Sequence, residues 1–460
     1  MTFSDYIDYL RGKRIGVIGF GVSNQPLVRV LLRNGCDVTV CDRRERAQLG
    51  AAGDEAAAQG AKFALGADYL EHLDFDVIFR TPGVLPIVPQ LRKAAQNGAI
   101  LTSEMEAFCN LCLCRILAIT GSDGKTTTST ITAELLRAQG YTVHLGGNIG
   151  TPLFDRIADI RPDDFAVLEL SSFQLHSMHC APDVAIITNI SPNHLDVHPD
   201  FVDYVSAKCS IYRGQRPDGV LVLNARDAHT PRFAAEAPGS VRYFSSIGPV
   251  ENGVYCSDGV IYRAHGGKAE KLIDVSDIRI PGAHNVENYM AAFAATDGLV
   301  GQAACVQVAR SFAGVPHRME RIRELNGITF INDSIASSPT RTIAGLHALP
   351  KPPVIILGGH DKHIPFDGLG DELCLLSKKV FLTGDTAGKI YSAIRASRYY
   401  EGSGLEVRII DDFKQAVKAA AEAARAGDIV LFSPACAAFD RFKNFAERGR
   451  YFKSIVMELK

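Results

Sequence analysis

Short apolar runs alternate with segments of helical length along most of this chain. A first group of runs lies at residues 14–19, 37–42, 76–80 and 100–102, a second at 116–120, 164–169, 184–189 and 219–224, and a third at 328–332, 354–359, 379–383, 406–410 and 428–432. Apolar strands separated by helices are typical of parallel sheets that are covered on both faces. The pattern therefore predicts an α/β fold with three successive α/β segments.

One stretch interrupts this alternation. Residues 241–280 hold short β-rich pieces around Gly and Asp turns, which predicts an antiparallel excursion, and a helical segment at 285–290 follows it. The chain has 460 residues, and a domain usually takes roughly 100 to 200. We therefore expect three domains, with bounds at 1–112, 113–315 and 316–460.

The composition argues against some classes of binding partner and indicates the cellular compartment. The formal net charge is -2, and no stripe of Lys and Arg interleaved with aromatic residues is present, so nucleic acid is not expected as a partner. No apolar stretch approaches the roughly 20 residues that span a bilayer, and no signal-like segment opens the chain. We expect a cytoplasmic monomer that does not bind membranes. Eleven cysteines without paired spacing indicate reduced thiols rather than disulfides or a metal site.

A glycine-rich turn after the run at 116–120 carries the strongest chemical signal. It places Gly121, Ser122, Asp123 and Gly124 before a helix that opens with Lys125, Thr126 and Thr127. Glycines let backbone N–H groups approach phosphate oxygens, the lysine reaches the outer phosphates, and a hydroxyl can hold magnesium. Ile119 stands where the usual phosphate loop has its first glycine, so this is a compact variant. The alternative is a plain strand-to-helix turn with an incidental lysine.

The first α/β segment also carries a nucleotide-like signature. Gly19 and Gly21 follow the first strand, and Asp42 closes the second. In dinucleotide-binding folds such glycines approach a pyrophosphate and the acid bonds a ribose hydroxyl. Asn24 replaces the third glycine of that fingerprint, so NAD and another nucleotide or sugar nucleotide both stay open.

Two further side chains, Glu169 and His194, follow apolar runs near the sheet edge where open α/β proteins bind ligands. Glu169 ends an apolar run, which suits a magnesium ligand, although an acid that caps the next helix is the alternative. His194 and His198 resemble a zinc pair, but Pro192 and Pro199 disfavour a helix there. An oxygen-directed site residue, a second metal ligand or a loop histidine remain possible for His194. By composition alone, Lys208 is a solvated helix lysine.

Taken together, these segments resemble the Mur ligase family of ATP-dependent amide-forming enzymes from end to end. The motifs that carry the resemblance are residues 120–127 (TGSDGKTT), 147–150 (GNIG), 169–174 (ELSSFQ), 189–194 (NISPNH), 207–208 (AK), 284–285 (HN), 317–318 (HR), 332–334 (NDS) and 433–436 (SPAC). Several motifs in the right order are far more specific than any one of them.

The resemblance implies a Rossmann-like N-terminal domain for the UDP part of the substrate, a central phosphate-loop ATPase domain, and a Rossmann-like C-terminal domain that brings the amino acid. It is strongest to the members that join D-glutamate to UDP-N-acetylmuramoyl-L-alanine. ATP would contact the phosphate loop and Asn285, Arg318 and Asp333. The residues implied to face the UDP-sugar or the amino acid are Gly19, Gly21, Val22, Ser23, Asp42, Thr81, Pro82, Gly83, Asn148, His317, Ser337, Lys362 and Phe445.

The resemblance also implies the metal chemistry. Two magnesium ions would be held by Thr126, Glu169, His194 and a carbamylated Lys208, and these residues with Lys125 would form the catalytic group. ATP would phosphorylate the substrate carboxylate, and the amine of the amino acid would attack the acyl phosphate.

Two positions depart from the D-glutamate pattern. Ile335 stands where a lysine is common, and Ala438 stands where a serine is common. Lys362, Ser337 and Phe445 remain as partners for the amino acid. Another Mur-type or folylpolyglutamate-type ligase, an NTPase-type binding module and an NAD-dependent oxidoreductase are the competing hypotheses.

Overall fold

A computed structural model describes residues 1–194, 197–361 and 365–460 of the chain. The chain divides into two compact units, Met1–Phe312 and Ala313–Lys460. The described elements confirm the expected α/β class, since each unit is built on mainly parallel sheets. The three domain bounds expected from the sequence stay a prediction.

The first unit opens with a five-stranded parallel sheet in the order β3-β2-β1-β4-β5. Its strands are β1 Arg14–Ile18, β2 Asp37–Asp42, β3 Lys62–Leu65, β4 Val77–Arg80 and β5 Ile100–Thr102, and its helices are α1 Phe3–Leu10, α2 Asn24–Arg33, α3 Gly50–Ala58, α4 Pro89–Gln96 and α5 Glu104–Leu111. The strand order reverses between β1 and β4. Ligands of open α/β sheets bind beside such a reversal, at the carboxyl ends of the strands.

A nine-stranded sheet follows in the same unit, in the order β14-β13-β12-β11-β10-β9-β6-β8-β7. Its strands are β6 Arg115–Thr120, β7 Val143–Gly147, β8 Phe165–Glu169, β9 Val184–Ile187, β10 Val220–Asn224, β11 Ser240–Ser245, β12 Gly253–Ser257, β13 Val260–His265 and β14 Lys268–Asp274. Its helices are α6 Lys125–Ala138, α7 Ser172–Leu175, α8 Phe201–Arg213, α9 Thr230–Glu236, α10 Ala283–Ala295 and α11 Gln302–Ser311. Strand β13 runs antiparallel to both of its neighbours, β12 and β14, whereas β10, β11 and β12 pair parallel. The antiparallel excursion is therefore shorter than the sequence predicts.

One apolar core joins the two sheets of the first unit. It contains Val17 of β1, Phe108 of α5 and Leu168 of β8, all fully buried. A second core lies on the other face of the nine-stranded sheet, where α10 buries every residue from 288 to 295. Burial on both faces explains why the central strands are apolar throughout.

The second unit holds a six-stranded sheet in the order β15-β16-β20-β17-β18-β19. Its strands are β15 Glu320–Leu325, β16 Ile328–Asn332, β17 Val354–Leu357, β18 Lys379–Leu382, β19 Glu406–Ile409 and β20 Ile429–Phe432, and its helices are α12 Pro339–His347, α13 Asp367–Leu376, α14 Ala387–Ala396, α15 Tyr400–Ser403, α16 Phe413–Ala423 and α17 Phe445–Glu458. Only the edge strand β15 runs antiparallel to its neighbour. Separate apolar cores cover the two faces of this sheet.

Three short 3-10 helices complete the described secondary structure: Arg46–Leu49, Phe154–Asp159 and Val275–Asp277. Among the residues with described positions, no helix has the length and apolar character needed to cross a membrane.

Candidate active site

The predicted phosphate loop is a tight turn from β6 into α6. Gly121 has φ +144° and Gly124 has φ +78°, a region that favours glycine. A β-carbon at Gly121 would overlap Thr188 Oγ1, and one at Gly124 would overlap Asn288 Oδ1. Both glycines are therefore required by space as well as by backbone conformation.

The loop is held by residues that follow strand β9. The Ser122 N–H donates to the Asn189 carbonyl at 2.8 Å, and the Asp123 N–H donates to Asn189 Oδ1 at 2.9 Å. Thr188 Oγ1 donates to the Asp123 carbonyl at 2.6 Å, and the Ser122 hydroxyl donates to the Ser191 carbonyl at 2.9 Å. These bonds fix the loop before any ligand binds.

Two lysines converge on this turn. Lys125 Nζ donates to the Gly121 and Ser122 carbonyls at 3.0 and 2.9 Å, and Lys208 Nζ donates to the Gly121 carbonyl at 2.6 Å. Lys208 is 1% exposed and lies over the Tyr204 ring, 4.6 Å from its centroid. Burial and the charge of Lys125 lower the pKa of Lys208 well below its usual value.

The solvated-lysine interpretation of Lys208 is therefore wrong. Tyr204, Lys208 and Tyr212 recur every four residues along α8 and are all buried. That spacing places them on one helix face. The periodicity was visible in the sequence, and it identifies the lysine as part of the packed face.

Glu169 closes β8 beside β6, where it pairs in register with Ile119. Its side chain is buried, Oε1 accepts from Asn148 Nδ2 at 2.9 Å, and Oε2 has no hydrogen-bond partner among the described residues. A buried carboxylate oxygen without a partner is costly. The strand-end acid does not cap helix α7, because Ser171 provides that cap.

The two histidines of the zinc hypothesis lie in different surroundings, and the described cluster of metal-ligand type that includes His198 does not include His194. His194 has φ +56° and lies edge-on to Phe173 at 5.0 Å. His198 is bonded through Nδ1 to Asp203 at 2.6 Å and through Nε2 to Ser172 at 2.9 Å. Within the described ranges, the single cluster of metal-ligand type is His176, His198 and Asp203. His176 carried no sequence signal that linked it to this group.

Helix α10 also reaches the phosphate loop. Asn288 Oδ1 accepts from Thr128 Oγ1 at 3.2 Å, and Asn288 Nδ2 donates to Asn285 Oδ1 at 3.2 Å. Asn285 itself donates to the Pro281 carbonyl at 2.6 Å. Asn285 belongs to a family motif in the sequence, whereas no sequence signal marked Asn288, which lies one turn further along the same helix.

The predicted substrate residues of the first sheet lie at the carboxyl ends of β1 and β4. A β-carbon at Gly19 would lie 2.8 Å from Thr81 Cγ2, so these two turns touch. Asn24 Nδ2 donates to the Ile18 and Gly19 carbonyls at 3.1 and 2.8 Å, which ties the first residue of α2 to this turn. The remaining residues of this group are the exposed Gly21, Val22 and Gly83, and the half-buried Ser23, Thr81 and Pro82.

Asp42 is tied to the turn after β1. Its Oδ2 accepts from the Phe20 N–H at 2.6 Å, and both carboxylate oxygens accept from Arg44. Burial would raise the pKa of Asp42, but the bonds from Arg44 and Phe20 lower it to about 2. The acid is therefore a charged acceptor at this turn.

In the second unit, several predicted residues meet at the carboxyl ends of β16 and β20. Asp333 accepts from the Ser433 hydroxyl at 2.8 Å, and burial raises the pKa of Asp333 to about 6. His317, with φ +65°, contacts Asn332 Nδ2 at 2.9 Å and faces the Phe445 ring edge-on at 6.3 Å.

The remaining predicted residues of this unit lie around that group. Arg318 is exposed and Ser337 is half-buried. Of the two departures from the family pattern, Ala438 is buried and Ile335 is half-buried, with its N–H donating to the His317 carbonyl at 3.1 Å. Lys362 lies outside the described residues.

All eleven cysteines are free thiols. The Cys112 and Cys114 sulfurs lie 3.4 Å apart, and Cys180 contacts Cys109. The structure thus adds Cys180 to the cluster that the sequence contains at 109–114, but these sulfurs do not form a compact metal-ligand set.

Comparison with known proteins agrees with this geometry. A family model described as the Mur ligase middle domain matches residues 119–296, and one described as the Mur ligase, glutamate ligase domain matches residues 317–436. The chain is 45% identical over 456 residues to the UDP-N-acetylmuramoylalanine--D-glutamate ligase of Acetivibrio thermocellus, and the match covers 98% of each chain. With such identity over nearly its whole length, the chain belongs to the Mur ligase family.

Solved structures share the fold at much lower identity. MurF from Acinetobacter baumannii is 17% identical, with a TM-score of 0.57, and the match covers 100% of this chain and 93% of that one. MurF ligase from Thermotoga maritima, solved in complex with ADP, is 18% identical with a TM-score of 0.50, covering 98% and 97%. At these identities the likeness establishes the fold.

Proposed function

We propose that this chain is an ATP-dependent ligase that joins D-glutamate to UDP-N-acetylmuramoyl-L-alanine in cytoplasmic peptidoglycan precursor synthesis. The observation that carries the proposal is the 45% identity, over 98% of the chain, to a UDP-N-acetylmuramoylalanine--D-glutamate ligase. The phosphate loop with two converging lysines supports the nucleotide part of this activity.

ATP would bind at the loop between β6 and α6. The N-terminus of α6 and the loop N–H groups favour phosphate oxygens, since both carry partial positive charge. Lys125 would turn from the loop carbonyls to the outer phosphates and offset the charge on the transferred phosphoryl group. A family relative solved with ADP supports a nucleotide here.

Magnesium fits the donors that the first unit presents. Glu169 Oε2 is buried without a hydrogen-bond partner among the described residues, and carboxylate oxygens are preferred magnesium ligands. Thr126, Glu169, His194 and a carbamylated Lys208 would hold two ions. When bound, magnesium would neutralise charge on the phosphate oxygens.

Carbamylation of Lys208 would convert a cation into an anionic oxygen ligand. Only a neutral amine adds to carbon dioxide, and the lowered pKa of Lys208 favours that form. Addition forms the N–C bond and releases one proton. The product would place a negative charge beside the Lys125 ammonium group, and opposite charges at that distance attract each other.

The reaction proceeds through two transfers on the substrate carboxyl group. A carboxylate oxygen attacks the γ-phosphorus of ATP, which forms an acyl phosphate and releases ADP. The amine of D-glutamate then attacks the acyl carbon, loses a proton, and expels inorganic phosphate as the amide forms. Activation is needed because a free carboxylate is a poor acyl donor.

The substrates would bind at the other predicted groups of residues. The turn with Gly19, Asp42 and Thr81 would face the UDP moiety, and Asn148, which already bonds Glu169, would face the muramoyl part. In the second unit, Ser337, Lys362 and Phe445 would contact D-glutamate. His317 lies against Phe445 and would support that contact.

A different amino acid is the second candidate, and the departures at Ile335 and Ala438 favour testing it. The chain lacks two polar groups that commonly hold the side-chain carboxylate. The ligase chemistry would stay the same, and only the acceptor would change.

A coupled assay tests the proposal. The purified protein receives ATP, magnesium and UDP-N-acetylmuramoyl-L-alanine, with D-glutamate, L-glutamate or another amino acid added separately. Phosphate release with D-glutamate and a product heavier by one glutamyl residue is the expected result. Product with a different amino acid would refute D-glutamate specificity, and no product with any amino acid would refute the ligase assignment.

A further inference from the structure

We propose that His198 and Asp203 are positioning residues that lock the Glu169 turn, His194 and the phosphate loop into one arrangement. The inference rests on the proposed function, because it assigns these two residues a part in organising the ATP and magnesium site. Neither residue belongs to the predicted catalytic group.

His198 joins two separate elements by hydrogen bonds. Its side chain is fully buried, Nδ1 lies 2.6 Å from Asp203 Oδ2 in α8, and Nε2 lies 2.9 Å from Ser172 Oγ in α7. A carboxylate only accepts hydrogen bonds, so we assign the proton to Nδ1. In the neutral ring, Nε2 then accepts the Ser172 hydroxyl proton. The imidazole thereby couples α8 to the turn that follows Glu169.

The His198 ring also packs against two aromatic side chains, Phe173 and Tyr204. It stacks on Phe173 with centroids 5.4 Å apart and planes at 12°, and Phe173 in turn contacts His194 edge-on at 5.0 Å. It also meets the Tyr204 ring edge-on at 5.3 Å. A displaced imidazole would therefore release His194 through Phe173.

Tyr204 extends this chain of contacts to the phosphate loop. Its hydroxyl lies 2.9 Å from Ser122 Oγ, and its ring lies beneath Lys208 Nζ. Tyr204 follows Asp203 directly in α8. A shift of Asp203 would therefore move the tyrosine that supports Ser122 and Lys208.

Asp203 is itself held from three directions. Its N–H donates to Asp200 Oδ1 at 2.8 Å in the N-terminal cap of α8, and its carboxylate faces His198 and His176, the latter at 3.0 Å. A fixed carboxylate orients the imidazole that it accepts from, as in sites where outer residues orient metal ligands. The contacts thus run from His176 through Asp203 and His198 to Ser172.

The test compares His198→Phe with His144→Phe. Phenylalanine at 198 keeps an aromatic ring against Phe173 and Tyr204 but removes both hydrogen bonds. His144 is also buried and bonds an aspartate, Asp164, at 2.9 Å. It lies near the start of β7, away from Gly147, which pairs with Glu169 at the other end. His144→Phe therefore controls for the loss of a buried histidine–aspartate bond.

Four quantities are measured for each variant: kcat, KM for each substrate, the thermal midpoint, and calorimetric binding of a non-hydrolysable ATP analogue at varied magnesium concentrations. We expect His198→Phe to lower kcat by about 10-fold to 100-fold and to weaken the magnesium dependence of analogue binding, as is typical when residues behind metal ligands are removed. His144→Phe should lower the midpoint with kcat changed less than about 2-fold.

Two further variants keep the test decisive if His198→Phe does not fold. Ser172→Ala removes one of the two bonds and should show a smaller change in the same direction. His198→Asn offers an amide N–H near the Nδ1 position and should recover part of kcat relative to His198→Phe.

The proposal is overturned if Ser172→Ala and every His198 variant that folds match the wild type in kcat and in magnesium dependence and lose only thermal stability. Failure of the proposed function has a different signature, because wild-type protein would then form no product with D-glutamate. The calorimetric comparison would still be informative in that case. Unchanged magnesium dependence there would overturn the positioning role on its own.

Discussion

The first unit contains two glycine turns that look alike in the sequence but differ in chemistry. Each follows an apolar strand and precedes a helix. The turn after β1 is bonded by a carboxylate, since Asp42 accepts from the Phe20 N–H at 2.6 Å. The turn after β6 is bonded through its carbonyls by the side chains of two lysines, Lys125 and Lys208.

The side chains that bond the two turns, Asp42 and Lys125, carry charges of opposite sign, and we therefore expect the turns to bind different chemical groups. At the turn after β1, the Asp42 carboxylate repels phosphate groups but can accept hydrogen bonds from the hydroxyl groups of a sugar or nucleoside. The Lys125 ammonium group beside a helix N-terminus attracts a triphosphate. Under the proposed function, the same strand-turn-helix unit would bind a neutral part of one substrate at one turn and the phosphates of another at the other turn.

The largest expected effect comes from removing the phosphate-loop lysine. Lys125→Ala should lower ATP turnover by at least about 100-fold, because the charge that develops on the phosphoryl group loses its nearest fixed cation. Affinity for the UDP substrate, measured by calorimetry, should change little, since that substrate would bind the other turn. Full ATP turnover by Lys125→Ala would contradict the assignment of the ATP phosphates to the turn after β6.

Gly121→Ala tests how tightly the turn after β6 is packed. The added methyl would overlap Thr188 Oγ1, and the residue would keep φ +144°, a combination that costs on the order of 1–3 kcal/mol for strain alone. Urea unfolding should show that loss, and ATP binding should weaken with it. Gly21→Ala is the matched control in the turn after β1. No atom lies within 4 Å of the carbon that it adds. Equal stability of the two variants would contradict this account of the turn.

The charge of Asp42, which bonds the turn after β1, should make the free energy of unfolding depend on pH. The pKa of Asp42 is about 2 when folded, below its usual 3.8, so its carboxylate stabilises the fold above pH 4. That contribution is lost as the pH falls from about 4 towards 2. Asp42→Asn should cost about 2 kcal/mol at pH 7, and the difference from wild type should shrink on acidification. Urea titrations from pH 7 to pH 3 measure it, and a pH-independent difference would argue against the charge.

The smallest expected effect concerns the partner of that carboxylate. Arg44 is partly exposed at its guanidinium and bonds Asp42 at 2.8 Å. Exposed ion pairs are worth about 0–1 kcal/mol, so Arg44→Ala should cost no more than that and should raise the pKa of Asp42. Arg43→Ala, at the neighbouring exposed position, should leave that pKa unchanged. NMR titration of Asp42 in both variants measures the difference.

Much of the fold was predictable because apolar runs of strand length and helical spacers depend on local sequence. The parallel strands at 164–169, 184–189 and 219–224 are confirmed. The antiparallel pairing predicted within 241–280 is confirmed for β12, β13 and β14, but β11 and β12 pair parallel. Pairing direction there depends on how the chain returns to the sheet, which local patterns do not encode.

The site was predictable where one segment supplies both geometry and chemistry, as at 120–127. It was less predictable where partners come from distant segments. The partners of His198 are Ser172, 26 residues earlier, and Asp203 in the next helix. His194, closer in the sequence, draws attention instead. The resemblance to the family named Lys208, but composition alone did not predict its burial, which follows from the helical periodicity of α8.

The central claim is that the carboxyl group of the substrate is activated by phosphoryl transfer at the turn after β6. The most direct measurement uses UDP-N-acetylmuramoyl-L-alanine with both carboxylate oxygens labelled with oxygen-18, together with ATP, magnesium and D-glutamate. Mass spectrometry of the released phosphate should find one labelled oxygen per phosphate, with the other label retained in the amide product. Phosphate that carries no label would contradict the claim, because ATP would then have been cleaved without forming an acyl phosphate.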